Sequence, residues 1–268
     1  MQKTSQNRKK KSSKTRKNRQ KGHNIPFRWW MPVVALAALA LLLAIPYLGM
    51  RGGETGAPLP PGAYHYGIDI SHHNGKDIVW DSLLVMTDRL GRTTRSLKKA
   101  SSFHPVSFVF IKATEGTSHL DRHFRENWDQ ASRHGLKRGA YHFFRTSRDP
   151  LAQAKHYIET VGPLRHGDFP PVLDVETMHL GCTRQELNQG VLLWLQTVEK
   201  HYGRKPVIST GYRFLTDILD PEISGHYPLW IAHYGVSAPD TDAWTWWQFT
   251  DRAVVYGVPG RVDLSVSR

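Results

Sequence analysis

Pro171-Val172-Leu173-Asp174-Val175-Glu176 is the stretch that decides how this chain is read. A pair of prolines leads into a short apolar run, and the run ends in two carboxylates. The apolar start reads as a buried strand. Side chains at i and i+2 of a strand share a face, so Asp174 and Glu176 are expected to project together from a strand's C-terminal end. Like charges held close push one pKa upward. Glycoside hydrolysis needs such a pair, because one acid must stay protonated for the leaving group. Two solvated acids at a strand end give the same pattern, so the pair needs company before it means chemistry.

Outward from that strand, apolar runs alternate with helical patterns. Strands are predicted over 66–70, 107–112, 139–144, 172–175, 206–210, 229–232 and 245–249, with a short eighth over 261–264. Helices are predicted over 121–134, 150–161 and 184–202; the last carries Val191, Leu192, Leu195 and Val198 at helical spacing. Alternating strands and helices imply a parallel sheet. Eight strands in roughly 200 residues point to a closed, TIM-like α/β barrel. An open doubly wound sheet competes, but no Gly-rich phosphate loop supports it. The segment 85–105 fits no element. Its Arg89, Arg92, Arg95, Lys98 and Lys99 suit either an amphipathic helix near anionic lipid or glycan, or a solvated charged face.

In a barrel of this kind the active site lies at the C-terminal ends of the strands. Those ends bear Asp69, then Lys112 and Glu115, Tyr141, Asp174 and Glu176, Trp230 and Tyr234, Trp247 and Gln248, and Asp263. Acids, amides and aromatics on one rim suit a glycan cleft. Each has a blander reading. Lys112 and Glu115 also read as an ion pair, and Tyr141 as a packed aromatic. Trp246 and Trp247 face opposite sides of their strand, so one belongs to the core. His72 and His73 are adjacent and diverge, without the i, i+4 spacing of a helical metal pair. No metal or cofactor is expected. Cys182 stands alone, so no intramolecular disulfide forms.

The net charge of +13 at first suggests nucleic acid. Of the 36 Lys and Arg, eleven fall within residues 1–28, leaving 25 against all 23 Asp and Glu. The body is nearly neutral, and a nucleic-acid partner is not expected. Residues 1–28 are polar, basic and too poor in apolar surface to fold, and read as a disordered cytoplasmic tail. Residues 29–50, WWMPVVALAALALLLAIPYLGM, carry no charge. That length crosses a bilayer of about 30 Å as a helix, with Trp29, Trp30 and Tyr47 at the interfaces and the basic flank inside. The run is longer than a signal-peptide core and no Ala-x-Ala site follows it, which favours an uncleaved signal anchor over a cleaved leader. Residues 51–62 read as a Gly/Pro-rich linker, and 63–268 as the catalytic body. The expected placement is single-pass in the plasma or inner membrane, with the body periplasmic or extracellular.

The segments GIDISHHNG (67–75), FVFIKATEGTSHLD (108–121), GAYHFF (139–144), PVLDVE (171–176), LWIAHY (229–234), WWQFT (246–250) and VDLS (262–265) together resemble glycoside hydrolase family 25, the Chalaropsis-type lysozymes. The resemblance covers nearly all of residues 66–265 in the family's order. It implies a modified (β/α)5(β)3 barrel. It also implies cleavage of the β-1,4 bond between N-acetylmuramic acid and N-acetylglucosamine in peptidoglycan. By the same resemblance Glu176 looks like the general acid/base and Asp174 the helper of the substrate's N-acetyl group. Asp69 and Asp263 flank the cleft floor, and Tyr141 lies near the reactive sugar. Retention through the substrate's own acetamido group is the favoured route; direct attack and inversion stay open. Segment 85–105 is longer than the family's usual first connection. A catalytically weak peptidoglycan-binding membrane scaffold is the alternative, because fold does not fix activity.

Overall fold

The computed structural model describes residues 55–268. The predicted tail, membrane anchor and residues 51–54 of the linker lie outside the described residues. Within them no helix is long and apolar enough to cross a membrane.

The chain enters as β1 (Thr55–Pro58) and β2 (His65–Ile70), then β3 (Leu84–Thr87), β4 (Arg92–Thr94) and the long β5 (Ser102–Glu115). A two-residue β6 (His119–Leu120) precedes α1 (Phe124–Arg133), β7 (Lys137–Phe143), α2 (Pro150–Val161) and β8 (Val172–Asp174). Next come α3 (Arg184–Tyr202), β9 (Val207–Gly211), the short α4 (Tyr212–Asp217) and α5 (Pro221–His226), β10 (Leu229–Ala232), β11 (Trp244–Ala253) and β12 (Val262–Ser267).

Eight strands close the barrel in the order β2-β5-β7-β8-β9-β10-β11-β12. From β2 through β11 neighbours run parallel. The last strand, β12, is antiparallel to both β11 and β2 and seals the seam. The expected eight-stranded α/β barrel is thus present, and its late connections lack helices as the implied (β/α)5(β)3 order has it. The first connection holds two 3-10 turns and strands rather than an α-helix. Between β10 and β11, and between β11 and β12, no helix intervenes.

The unassigned segment 85–105 is not an amphipathic helix, and its Arg89, Arg92, Lys98 and Lys99 are exposed, as the solvated-face reading has it. It folds as β-structure: β3 pairs antiparallel with β4 and with the first half of β5, and β4 pairs with β1. Asp88 makes the hairpin, accepting hydrogen bonds from the backbone N–H of Leu90 and Arg92 at 2.9 and 3.0 Å, while Gly91 takes φ 73°. β5 therefore belongs to two sheets, its first half to the small one and its second half to the barrel. The folded body also starts earlier than position 63. Residues 55–58 of the supposed linker are paired as β1.

The helices follow their local signals. Asp149 caps α2 through Ala152 N–H at 2.7 Å, with Pro150 in its first turn. Thr183 and Glu186 form a capping box on α3, and Gly203 closes it in the left-handed region at φ 64°. The stripe Leu187, Val191, Leu195 and Val198 is buried against the barrel.

Strand alternation sorts the apolar residues into two cores. Outward positions such as Ile68, Val109, Ile111, Leu173, Ile208, Trp247 and Leu264 pack in the large core that includes the helix residues. Inward positions Phe108, Phe110, Val172, Val207, Trp230 and Trp246 fill the barrel's lower interior. A methyl group on Gly67 would lie 2.1 Å from the Phe108 ring, so only glycine fits there. Two residues further along each strand the inward positions turn polar: Asp69, Lys112, Asp174, Ser209, Gln248 and, on β12, Asp263 all line one hollow.

Candidate active site

That hollow is a cleft of about 360 Å³ at the C-terminal mouth of the barrel. Asp69, Lys112, Tyr141, Asp174, Glu176, Trp230, Tyr234, Gln248 and Asp263 line it, as the strand-end reading expects. β8 stops at Asp174 and Glu176 lies just past it, yet the i, i+2 relation still carries both into the cleft.

Register explains the acid pair on the floor. β12 runs antiparallel along β2 with Asp263 opposite Asp69. Gln248 donates from Nε2 to Asp69 Oδ2 at 2.9 Å and accepts from the Tyr234 hydroxyl. Burial, then the charge of Asp263, holds Asp69 well above the usual carboxylate range. Asp263 is also raised, first by desolvation, although a hydrogen bond from Asp69 opposes this. The two carboxyls therefore titrate as a pair on the cleft floor, each raised by burial.

Asp174 is pushed well up by burial and by neighbouring Glu176, while Lys112 and a hydrogen bond with Ser209 pull the other way. Its Oδ1 is buried and has no hydrogen-bond partner. A buried, partnerless acceptor is costly unless a ligand completes it. Glu176 is the acid that opens to solvent at the mouth. Partial desolvation by the cleft walls and then Asp263 raise its pKa, again opposed by Lys112. Tyr141 is held well above its ordinary value by burial and by Asp69, Asp174 and Asp263. Its neutral hydroxyl is a hydrogen-bonding group at working pH.

Three predicted residues need restating. Trp247 does not reach the cleft: it is 0% exposed, packs in the outer core and donates its indole N–H to His233 O at 2.8 Å. Its neighbour Trp246 faces inward but sits low, against Phe110. Period-two alternation separates the two faces, while the barrel's depth decides that neither ring meets substrate. Glu115 stands behind the cleft, 2.6 Å from Lys112 Nζ and paired with Arg145. Burial opposes its ionisation, but those two cations outweigh it and bring its pKa to about 2. It anchors Lys112 rather than touching the cavity. Trp230 lines the floor, but stacks 4.3 Å from Phe110 and gives its N–H to Ser265, so it offers only ring surface.

The cleft also contains Ser71, His73, Phe143, Ser209 and Asp251, which were not among the candidates. Ser71, His73 and Phe143 stand in motifs already quoted, and Ser209 near the end of the strand predicted over 206–210. Asp251 directly follows WWQFT, so proximity to that motif was the available signal. His72 is not a cleft residue and bonds Asp121 through Nδ1 at 2.9 Å, but its ring lies 3.9 Å from that of His73, so the two do not diverge as expected. Among the described residues no group of three or more His, Cys, Asp or Glu is arranged to hold a metal ion. A larger hollow of about 790 Å³ lies outside the barrel between α3 and α5, lined by Arg184, Asn188, Asp220 and Tyr227 among others. It gathers no cluster of raised acids. Chemistry, not size, selects the mouth.

Comparison with known proteins agrees with this geometry. The family described as glycosyl hydrolases family 25 matches residues 68–258. Lysozyme M1 of Streptomyces globisporus is 32% identical over 211 residues, 74% of this chain and 65% of that protein. The protein named "Uncharacterized protein YegX" of Escherichia coli K12 is 38% identical over 225 residues, 83% of this chain and 76% of its own. The crystal structure of the bacterial lysozyme from Streptomyces coelicolor superposes with a TM-score of 0.64 at 30% identity, covering 77% of this chain and 93% of that one.

Proposed function

The chain belongs to glycosyl hydrolase family 25, and from that premise we propose that it is a peptidoglycan muramidase. It cleaves the β-1,4 bond between N-acetylmuramic acid and N-acetylglucosamine. The observation that carries this reading is Asp174 Oδ1, a buried carboxyl oxygen with no partner beside Glu176. The N–H of a substrate acetamido group is the donor it lacks.

In this reading Glu176 is the proton donor. It is the acid at the open mouth, and its raised pKa keeps it protonated for the leaving oxygen. Asp174 takes the acetamido N–H and aims the acetamido oxygen at the anomeric carbon, so the substrate supplies the nucleophile and configuration is retained. Deprotonated Glu176 then activates the water that opens the intermediate. Asp69, Asp263, Gln248 and Tyr234 form the hydrogen-bonded floor that orients the sugar, with Tyr141 beside it. Lys112 keeps the acids from rising further.

Purified enzyme is expected to release new reducing ends from peptidoglycan, with muramic acid at the reducing end and no anhydro product by mass spectrometry. Glu176→Gln removes the proton donor and should lower the rate by about 10²-fold or more. Wild-type release no faster than that of Glu176→Gln would sink the proposal. We further propose that residues 29–50 anchor the chain in the plasma or inner membrane, with residues 1–28 cytoplasmic and the barrel facing the cell wall. External protease that degrades the barrel in spheroplasts while sparing a tag at the N-terminus tests this; a protected barrel refutes it.

A further inference from the structure

A second hollow of about 550 Å³ adjoins the catalytic cleft, and Tyr234 and Asp251 are walls of both. One side is Pro58, Leu59 and Pro60; the other includes Val236; Arg252 stands among the lining residues. The prolyl side precedes β2, the first barrel strand, so it comes from the segment that leads into the barrel. It is held firmly. Leu59 N–H donates to Gly91 O at 3.1 Å. A Cβ on Gly56 would meet Thr93 Oγ1 at 2.4 Å and Arg252 O at 2.5 Å, so β1 is pressed against the strand that bears Arg252.

The lining indicates what fits. A bed for a sugar ring offers flat aromatic faces and several amides or carboxylates. Beyond the shared Tyr234 and Asp251, this hollow offers mainly aliphatic and prolyl surface from Ala57, Pro58, Leu59, Pro60, Pro61 and Val236, with the hydroxyls of Ser237 and Thr250, while Phe249 is buried and presents little ring face. Arg252 has a side chain 72% exposed whose charged neighbour is Asp251 at 3.6 Å. An exposed pair of that kind holds its guanidinium weakly, leaving it able to form a forked bond with another carboxylate. Small apolar side chains ending in carboxylates are the chemistry of an acidic peptide. The shared walls, Tyr234 and Asp251, put an occupant of this hollow within reach of a sugar in the cleft. Resting on the muramidase reading, we propose that this hollow binds the peptide stem that branches from the muramic acid, with Arg252 pairing its carboxylate.

The test compares full-chain enzyme on peptide-bearing peptidoglycan fragments and on glycan strands stripped of peptide by an amidase. Arg252→Glu is expected to raise KM for the peptide-bearing substrate by about tenfold, the loss of one charge-assisted hydrogen bond, with kcat little changed. On stripped strands the two enzymes should agree within about twofold. Val236→Asp, which places a like charge in the hollow, should act in the same direction, and Arg252→Lys should retain part of the preference. Equal losses on both substrates, or no loss on either, overturn the proposal. Should wild-type enzyme hydrolyse neither substrate, the muramidase reading fails, and calorimetry on a disaccharide-peptide against the bare disaccharide still decides the hollow. A preference for the peptide form that disappears in Arg252→Glu supports it, and equal affinities refute it.

Discussion

Replacing Asp263 by Asn should move the alkaline limb of the pH–rate profile toward acid. Asp263 and Glu176 line the same cleft, and the negative charge of Asp263 raises the Glu176 pKa, second only to desolvation. Asn is isosteric, and its Oδ1 still accepts the hydrogen bond from Asp69, so the floor keeps its shape while losing one charge. A unit charge within such a site, at an effective dielectric near 20, is worth on the order of 1–2 kcal/mol, or about one pH unit. Without that charge Glu176 gives up its proton at lower pH. The alkaline limb, which reports loss of the general acid, therefore falls by about one unit. At pH 7 kcat/KM drops by up to about tenfold, and at lower pH the two enzymes converge. The assay is kcat/KM on soluble glycan strands across the pH range. A limb that stays in place or moves alkaline refutes the argument. A uniform loss at every pH would show that Asp263 acts through position rather than charge.

Lys112→Met is the counterpart: the cation lowers both Asp174 and Glu176, so its removal should move the same limb to higher pH by about one unit, read in the same assay. Asp174→Asn should lower turnover by about 10²-fold or more while raising the thermal midpoint at pH 7. The folded pKa of Asp174 lies well above its unfolded value, so its contribution to stability is full below the unfolded pKa and is lost as pH rises through the folded one. The gain measured by calorimetry should shrink toward pH 4, and a less stable Asn variant at pH 7 contradicts it. Arg138→Met breaks a buried pair, with Nε 2.7 Å from Asp168 Oδ1 and side chains 4% and 7% exposed, and leaves Asp168 with the Arg165 backbone N–H at 2.8 Å but without its cation. The expected loss is about 3–5 kcal/mol by urea unfolding; a loss under about 1 kcal/mol refutes it.

The barrel was legible because its strands are short, apolar and separated by well-capped helices. Predicted helices 150–161 and 184–202 match α2 and α3 residue for residue, since Asp149, Pro150, Thr183 and Glu186 mark their starts in sequence. The small sheet was not legible. β4 is three residues long, and its Arg92 gives a charged appearance although Thr93 and Thr94 are buried. Pairing with β1, nearly forty residues earlier, is a non-local fact that no window along the chain contains. In the cleft, Asp69, Asp174 and Glu176 were found because they stand at or just past the ends of parallel strands, whereas Asp263 reaches the same rim from near the start of the antiparallel β12. Trp247 was misplaced because alternation says that Trp246 and Trp247 face opposite ways but not which of them faces inward. Glu115 was placed too close because sequence spacing cannot tell a cleft wall from the counter-ion behind it.

The seam between β12 and β2 has a consequence in time. Asp69 is made near the start of the folded body and Asp263 near its end, and the antiparallel closure brings them face to face. No fragment that stops before Val262 has either a sealed barrel or a complete acid floor. Under the proposed function, activity would therefore appear only once the final strand is free to dock.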